Sequence, residues 1–297
     1  MEITASAVKE LRDRTGAGMM DCKAALTETK GDFEAAIDWL RKKGISKAEK
    51  KAGRAATDGM VFAVNMGTKG AVVEVNAETD FVAKNDKFIA FVKALAETVL
   101  KTGETDLEKL KNASLPTGGT VGGTLTELVA TIGENMTIRR AMYLSVASGA
   151  VHSYVHMGGK IGVLVAISAP NSNDKLAEVA KGVAMHVAAS NPLFLDRTSV
   201  DSAALERERE IFMEQARASG KPEAILAKIV DGRVNKYYEE VCLVEQSFIM
   251  DTDRKVGAVV SGADAGAKVA AYVRFALGEG LEKKHDDFAA EVAKMAK

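Results

Sequence analysis

The sequence predicts an α+β protein, and three observations lead to this fold class. The first 55 residues carry three short amphipathic helical patterns. Further along, an apolar strand, a polar loop and a helical pattern follow one another, and this unit recurs. A long charged stretch of helical pattern lies between the later units and is broken once by glycine and proline. We therefore expect a helical domain, a core of two related α/β subdomains with antiparallel sheets, a protruding helical hairpin and a C-terminal helix module.

Residues 1–55 predict a three-helix domain. Thr4 has the residue type and position of a cap for the first helix, and a second helical pattern covers about 20–29. A third helix is expected to begin at Asp32 and to end at Gly44, because glycine commonly terminates helices. Three short helices of this kind form a minimal bundle.

Residues 56–140 predict the first α/β subdomain. The β-rich stretch 60–66 and the apolar stretch 71–75 flank a turn that contains two glycines, which is typical of a hairpin. After a polar loop, Asp86 is in position to start a helix with apolar residues on one face.

Residues 141–202 and 242–280 predict the second subdomain. An apolar strand covers 162–167, and Asp174 then opens a helix. A further strand is expected at 269–276. The phrases at Asp86 and Asp174 mark the same kind of helix start, which favours two related halves over a coincidence of composition.

Residues 203–241 predict an antiparallel helical hairpin. Its two arms, 203–218 and 222–241, are highly charged and are separated by a short turn that contains glycine and proline. Apolar residues are sparse on the first arm, so we expect the hairpin to project from the body. The last segment, 281–297, predicts a C-terminal helical module whose helix begins near Asp287.

Composition limits the classes of function. The chain has 297 residues, of which 47% are hydrophobic and 27% are charged, as in ordinary globular proteins. Its 40 basic and 41 acidic residues give a formal net charge of −1. A protein that binds DNA mainly through its phosphates carries a clear basic excess, so we expect no DNA partner, although a local basic patch is left open.

Cysteine usage and hydropathy indicate the compartment. Cys22 and Cys242 lie far apart in the sequence and form neither a CxxC pair nor a disulfide framework, which favours a reducing environment. No apolar run approaches the roughly 20 residues of a membrane span. We expect a cytoplasmic protein without a membrane partner and without a secretory signal.

A search for catalytic motifs finds no convincing cluster. The sequence has no P-loop, no nucleophile elbow and no zinc-ligand spacing, so we expect neither an enzyme nor a cofactor or metal site. The glycine-rich stretch Gly118–Gly123 predicts a loop between helices. His152 and His156 are expected in a loop between strands, with a metal pair or a structural or partner contact left open. His186 predicts a core histidine.

Two segments have the features of contact surfaces. Phe81 stands beside Asp80 in the polar loop that precedes Asp86, where its ring would either point outward or tuck under the loop. Met19 and Met20 stand together at a helix start, where one of them offers a flexible contact surface or both are buried. Both alternatives stay open from the sequence alone.

Several long segments carry a resemblance to a known family. They resemble, in order along essentially the whole chain, the signature segments of bacterial translation elongation factor Ts. The segments are Leu11–Leu26, Thr79–Asn85, Ile132–Arg140, His186–Ser190 and Gly278–Gly280. One departure is the stretch Pro116–Gly123, which is glycine-rich where some family members are charged and helical.

The resemblance implies an N-terminal domain like ubiquitin-associated (UBA) domains and a role in protein biosynthesis. The family member would be a guanine-nucleotide exchange factor for the GTPase elongation factor Tu, acting by protein–protein interaction as a simple pair or a two-plus-two complex. The residues implied in contact with that partner are Met19, Met20, Thr79, Asp80, Phe81, Val82, Ile132, Gly133 and His156.

The resemblance also implies separate roles for these residues. Asp80 and Phe81 would press on the GTPase domain near its magnesium and nucleotide, and Ile132 would line the same contact. Met19 and Met20 would touch the same GTPase domain. His156 would face another domain of the partner, and the C-terminal helix would return to the GTPase domain.

Other classes of function remain as alternatives. The three-helix domain would suit a ubiquitin-like or other adaptor-binding protein. Residues 46–54 are small and basic, which predicts a helical or flexible linker, and the patch Lys47–Arg54 would suit an RNA-binding protein whose affinity depends strongly on salt. The adaptor alternative leaves the segment Thr79–Asn85 unexplained.

Overall fold

The computed structural model describes residues 3–171, 173–218, 220 and 222–282. Helices and antiparallel strands are both present, so the predicted α+β class is confirmed. The helices are α1 (Ala5–Thr15), α2 (Met19–Glu28), α3 (Phe33–Lys51), α4 (Asp80–Ala83), α5 (Asp86–Thr102), α6 (Leu107–Asn112), α7 (Val121–Ile132), α8 (Asp174–Ser190), α9 (Ser202–Ala218), α10 (Glu223–Val241) and α11 (Val256–Ser261). The strands are β1 (Asp58–Met66), β2 (Lys69–Ala77), β3 (Met136–Ser145), β4 (Gly149–His156), β5 (Ile161–Ser168), β6 (Ser247–Phe248), β7 (Asp251–Lys255) and β8 (Lys268–Ala276).

The chain divides into two compact units, each of which is described by itself. Among the described residues, the first unit comprises 3–62, 73–141 and 276–282, and the second comprises 63–72 and the described part of 142–275. The domain limits expected from the sequence stay a prediction. The expected C-terminal helix near Asp287 lies outside the described residues.

The first unit begins with three helices, as the sequence predicts. The Thr4 hydroxyl accepts the N–H of Ala7 at 3.2 Å, and the Asp32 carboxylate accepts the N–H of Ala35 at 3.0 Å, so both expected caps are present. The helices enclose a small core of buried side chains, which consists of Val8, Leu11, Cys22, Ala25, Leu26 and Ala36.

The expected end of the third helix at Gly44 is wrong. Helix α3 continues through Gly44 to Lys51, so most of the basic linker is helical. A Cβ atom on Gly44 would lie 3.2 Å from the Cβ of Ala130 on α7. The glycine therefore allows α3 and α7 to pack closely, a tertiary requirement that the local sequence does not reveal.

The predicted repeat is present in the strands and helices. Strands β1 and β2 form a hairpin, β3 lies beside β2, and β2 leads to the 17-residue helix α5. Strands β4 and β5 form a second hairpin, β8 lies beside β5, and β5 leads to the 17-residue helix α8. Asn85 and Asn173 cap the two helices through their side chains.

The two hairpins also share a glycine with an unusual backbone. Gly59 on β1 has φ +124° and Gly149 on β4 has φ +121°. A Cβ atom at these positions would lie 2.1 Å from the carbonyl oxygen of Val75 and 2.0 Å from that of Ile167. Because only glycine fits both positions, they support the interpretation of two related subdomains.

His152 and His156 lie on β4, so their expected position in a loop between strands is wrong. β4 pairs with β5 in continuous antiparallel register, with His152 opposite Val165 and His156 opposite Ile161. Between this hairpin and α8 lies the core of the second unit. Its buried members come from β5, from α8 and from the segments around β6 and α11, and they include Val163, Val165, Ile167, Leu176, Val183, Val187, Leu243, Phe248 and Val256.

Helices α9 and α10 form the expected hairpin within the second unit. Ala216, Leu226, Val230 and Val234 are buried between them. Arg209 donates to Asp231 at 2.8 Å across the same pair of helices. That the hairpin projects from the body stays a prediction.

The glycine-rich stretch is a loop only in part. Helix α7 begins at Val121, so Gly122 and Gly123 lie in its first turn and not in a loop. The Thr120 hydroxyl accepts the N–H of Gly123 at 3.1 Å, and this cap offsets part of the low helix propensity of two glycines.

Two features are absent from the described part of the chain. Across residues 3–282, apart from the gaps given above, no helix is long and apolar enough to cross a membrane. Within the same residues, no group of three or more histidine, cysteine or acidic side chains is placed to hold a metal ion.

Candidate protein-binding site

Phe81 is a solvent-facing aromatic side chain in the first unit. The segment that follows β2 was expected to be a loop, but residues 80–83 form the one-turn helix α4. The Phe81 ring is 78% exposed, whereas the neighbouring Val82 is buried and anchors the turn. The alternative of a ring tucked under the loop is therefore excluded.

Asp80 and Lys84 flank this ring. Lys84 Nζ lies 2.7 Å from the Asp80 carboxylate and 5.8 Å from the centre of the Phe81 ring. Both charged side chains are more than half exposed, and a pair of this kind contributes little to stability. The Lys84 ammonium lies over the ring, and Phe81 is still largely exposed to solvent.

Two hydrogen bonds connect the start of α4 to a distant segment. Thr79 donates both its backbone N–H and its hydroxyl to the carboxylate of Glu134, at 3.0 and 2.8 Å. In the opposite direction, the N–H of Asn135 donates to the carboxylate of Glu78 at 2.5 Å. The segment that carries Phe81 is thus fixed to the segment that follows α7.

Ile132 and Gly133 end helix α7 immediately before Glu134. Gly133 is the left-handed C-cap, with φ +92°, and its N–H donates to the carbonyl of Val129 at 3.1 Å. The half-buried side chain of Ile132 is the last of the helix. Because Glu134 holds Thr79, the end of α7 and the start of α4 are neighbours.

Met19 and Met20 form a second exposed apolar surface. They are the first residues of α2, and their side chains are 52% and 76% exposed, which excludes burial of both between the helices. The adjoining Asp21 is paired with Lys47 at 2.5 Å and with Lys43 at 3.0 Å. The hydrogen bond from Lys47, which outweighs partial burial, lowers the pKa of Asp21.

The segment that carries these methionines approaches the other two. A Cβ atom on Gly16 would lie 3.0 Å from Nζ of Lys87, at the start of α5, and 3.9 Å from the methyl group of Thr131, at the end of α7. The loop before α2 therefore lies beside the end of α7, and the segment after α7 is bonded to Thr79 at the start of α4.

His156 belongs to the second unit and ends strand β4. Its side chain is exposed, and its Nδ1 lies 2.9 Å from the hydroxyl of Tyr154. The next residue, Met157, is 71% exposed and has φ +49°, an uncommon conformation for a residue with a side chain. Sequence patterns did not single out Met157.

A buried ionic cluster supports the strands that lead to α4. The Glu74 carboxylate on β2 accepts hydrogen bonds from Arg139 at 2.9 Å, Arg140 at 2.6 Å and the N–H of Gly278 at 2.8 Å. Burial by itself would raise the pKa of Glu74, but these donors together lower it below the ordinary value. The charged form therefore joins β2, β3 and the turn at Gly278.

Comparison with known proteins gives the family. Residues 78–279 match the model of the family described as elongation factor TS. The chain is 58% identical to Elongation factor Ts of Paramagnetospirillum magneticum, with 99% of this chain and 97% of the relative aligned. It is 55% identical to Elongation factor Ts of Magnetococcus marinus, with 99% of both chains aligned.

The chain belongs to the elongation factor Ts family. A further family member, Elongation factor Ts of Rhodospirillum centenum, is 57% identical, again with 99% of both chains aligned. The resemblance drawn from the sequence motifs is thereby confirmed. The contacts that the resemblance implies with a partner stay predictions.

The sequence motifs did not single out three residues that hold the candidate site together. Glu78, Glu134 and Asn135 bond the segments together, yet only their place in motifs was noted. Each glutamate directly precedes a residue whose backbone N–H is bound by the other glutamate. The two Glu-polar pairs were visible in the sequence, but their pairing across 55 intervening positions was not.

Proposed function

We propose that this chain is a guanine-nucleotide exchange factor for elongation factor Tu and stabilises the nucleotide-free form of that GTPase. The observation that carries the proposal is the exposed ring of Phe81, held on a short helix whose N-cap residue, Thr79, is bonded to Glu134. Family membership supports the same role. The proposed role needs no bond chemistry and no cofactor in this chain, and we place it in the cytoplasm.

The physical basis of exchange is competition for one shape of the partner. A GTPase holds GDP through backbone N–H groups around the phosphates and through magnesium. A protein that prefers the nucleotide-free shape weakens GDP, and GDP weakens that protein by the same factor. Each factor of ten corresponds to about 1.4 kcal/mol.

One aromatic side chain is too small to displace a tightly held nucleotide. Burying the Phe81 ring contributes roughly 1.5–3 kcal/mol. A wider interface must therefore hold the ring in place, and the exposed Met19, Met20 and His156 are available for it. Ile132 and Gly133, beside the ring-bearing segment, complete the proposed contact.

Asp80 has a separate proposed role. We infer that its carboxylate disturbs the magnesium environment of the partner, because carboxylate oxygens are ligands that magnesium prefers. Its exposed pair with Lys84 costs little to break. Thr79, through its bonds to Glu134, and the buried Val82 are proposed to keep α4 in place.

The test is release of a fluorescent GDP analogue from elongation factor Tu, with and without a saturating amount of this chain. Phe81→Ala should slow stimulated release by about tenfold or more, since the buried ring is worth roughly 1.5–3 kcal/mol. Phe81→Leu should retain more activity than Phe81→Ala. Met66→Ala removes another exposed side chain, which is 69% exposed at the end of β1, and serves as the control.

Two results would count against the proposal. If the unmodified chain does not accelerate release, the exchange function is wrong. If it does, but Phe81→Ala stimulates GDP release from elongation factor Tu as fast as Met66→Ala does, the ring is not the element that acts on the partner.

A further inference from the structure

We propose that Glu78 and Glu134 form a reciprocal clasp that holds Phe81 in its working position, which makes both glutamates positioning residues for nucleotide release. This inference rests on the proposed exchange function. Neither glutamate needs to touch the partner for this role. They act through the backbone that carries the ring.

The clasp is defined by an exchange of hydrogen bonds between two segments. The N–H of Thr79, the residue after Glu78, donates to Glu134 at 3.0 Å. The N–H of Asn135, the residue after Glu134, donates to Glu78 at 2.5 Å. Both acceptors are carboxylates, and hydrogen bonds to a charged acceptor are about twice as strong as neutral ones.

Helix α4 depends on this support because it is too short to be stable by itself. A single turn fixes several dihedral angles for very few internal hydrogen bonds, so isolated short helices are unfavourable in water. Thr79 occupies the N-cap of α4, but its side chain makes no capping bond to the helix. The hydroxyl donates instead to Glu134 at 2.8 Å. The direction of the Phe81 ring therefore follows from Glu134 and from the buried Val82.

A third segment joins the same clasp. The side-chain amide of Asn135 donates to the carbonyl of Arg54 at 2.7 Å, and the Arg54 guanidinium lies 3.5 Å from the Glu78 carboxylate. Arg54 follows α3, the last helix of the domain that carries Met19 and Met20. The clasp thus connects the ring-bearing turn to the domain with the exposed methionines, within one unit of the structure.

This connection supplies what a wedge requires. Binding free energy gained at a docking surface acts on the partner's nucleotide site only if the wedge is rigidly connected to that surface. Loosening the clasp should therefore leave docking nearly intact and reduce the maximal rate of GDP release. A residue needed only for the fold would not separate these two quantities.

The first arm of the test uses the free protein and amide hydrogen exchange. In Glu134→Ala, the amide of Thr79 should exchange at least about tenfold faster, because its charged acceptor is gone. Glu104→Ala is the matched control. Its carboxylate accepts the N–H groups of Thr105 and Asp106 at 3.0 and 2.9 Å, just beyond the far end of α5.

The control site is remote from the clasp. The 17 residues of α5 separate the two by about 25 Å, given a rise of 1.5 Å per residue. Glu104→Ala should leave the exchange of the Thr79 amide unchanged. If Glu134→Ala also leaves it unchanged, the clasp does not order α4 and the proposal is overturned.

The second arm measures GDP release from elongation factor Tu in a double-mutant cycle. Glu134→Ala should lower the saturated rate by about tenfold, or about 1.4 kcal/mol. The half-saturating concentration should stay within about twofold, and in the Phe81→Ala background the same change should cost less than about twofold. An equal loss in both backgrounds would show that Glu134 does not act through Phe81.

The conservative variant Glu134→Gln protects the test against misfolding. Glutamine keeps one oxygen to accept the N–H of Thr79, and its amide group can donate to the Thr79 hydroxyl, so its rate should lie between those of Glu134→Ala and the unmodified chain. A rate no better than that of Glu134→Ala would contradict the clasp. If the unmodified chain does not accelerate GDP release from elongation factor Tu, the proposed exchange function is wrong. Hydrogen exchange in the free protein still tests whether the clasp orders α4.

Discussion

Among single residues, Glu74 shows how a charge is kept inside the molecule. Its side chain is fully buried, yet two guanidinium groups and the N–H of Gly278 favour the ionised form. Removing one partner of a buried ion pair leaves the other charges without compensation. The cluster lies on β2 only a few residues before Phe81, so its stability bears on the site as well.

We predict that Glu74→Ala lowers the free energy of unfolding by about 3 kcal/mol, because Arg139 and Arg140 lose their shared acceptor. Urea unfolding at neutral pH would measure this change. The control Glu108→Ala removes a carboxylate that is 82% exposed beside Lys111 and should change stability by less than about 0.5 kcal/mol. Equal effects of the two substitutions would contradict the description of Glu74 as a buried anchor.

Glu74 also predicts that the free energy of unfolding decreases at acid pH. The folded pKa of Glu74 lies below its ordinary value because its hydrogen-bond donors outweigh the effect of burial. Its contribution is complete above the pKa of an unfolded glutamate, about 4.3, and is lost as the pH falls through the lower folded value. Between about pH 5 and pH 3, the free energy of unfolding should therefore fall less in Glu74→Gln than in the unmodified chain.

His186 predicts a second dependence on pH, at milder acidity. The ring is buried on α8, its Nδ1 accepts the N–H of Ile249 at 3.2 Å, and its Nε2 lies 2.8 Å from the side-chain oxygen of Gln246. Accepting at Nδ1 requires the neutral ring, with Nε2 donating. Burial lowers the pKa of His186, against the opposing hydrogen bond to Gln246.

The unfolded histidine therefore takes up a proton at a higher pH than the folded one. Stability should fall as the pH drops below about 6.5, by up to about 1.4 kcal/mol per pH unit from this residue. His186→Gln should weaken this dependence when urea unfolding is compared at pH 7 and pH 5.5. An unchanged dependence in the variant would show that His186 is not the group responsible.

At the scale of the elements, two glycines within helices make a matched pair. A Cβ atom on Gly232 of α10 would meet nothing within 4 Å, whereas one on Gly44 of α3 would lie 3.2 Å from Ala130. Alanine is favoured over glycine in a helix by about 1 kcal/mol. Gly232→Ala should therefore stabilise α10 by about 0.5–1 kcal/mol, measured by hydrogen exchange of its amides.

Gly44→Ala should show a smaller gain or a loss, because its new methyl group must displace α7 by a few tenths of an ångström. Hydrogen exchange in α3 would measure the effect. A gain in α3 as large as the gain in α10 would mean that Gly44 is not required for close packing, and that its place inside the helix has another cause.

The same elements show what the sequence could predict. The helix starts after Asn85 and Asn173 were predictable because capping is local, and the β1–β2 hairpin was predictable from its two strand patterns and the turn between them. The end of α3 was not, since glycine at position 44 serves a contact with α7. Similarly, the histidines of β4 were misplaced because their strand is held by pairing with β5 and not by its own residues.

The candidate site was predictable to a similar depth. An exposed ring beside Asp80 was one of two local interpretations, and the structure selects it. The one-turn helix α4 and the bonds from Glu78 and Glu134 were not predictable, because they join segments more than fifty positions apart. The local sequence therefore indicates which residues belong to the site, whereas their arrangement depends on the tertiary fold.

At the scale of the whole molecule, binding of this chain to its partner and loss of GDP from that partner are proposed to be thermodynamically coupled. Exposed surfaces on both units, at Met20 and at His156, are proposed to contribute docking, and Phe81 is proposed to convert it into weaker GDP binding. Because the coupling is reciprocal, it can be measured as the effect of this chain on GDP affinity or as the effect of GDP on the affinity for this chain.

Sedimentation of the same complex would show whether one or two copies of each protein take part.

The most direct test is the affinity of this chain for elongation factor Tu, measured with the nucleotide-free and the GDP-bound partner. The account predicts about hundredfold tighter binding to the nucleotide-free form, within the usual range of coupling between sites. Phe81→Ala should narrow this ratio by about tenfold, since the ring acts only where GDP has left. Equal affinity for the two forms, or the same ratio in Phe81→Ala, would contradict the central claim.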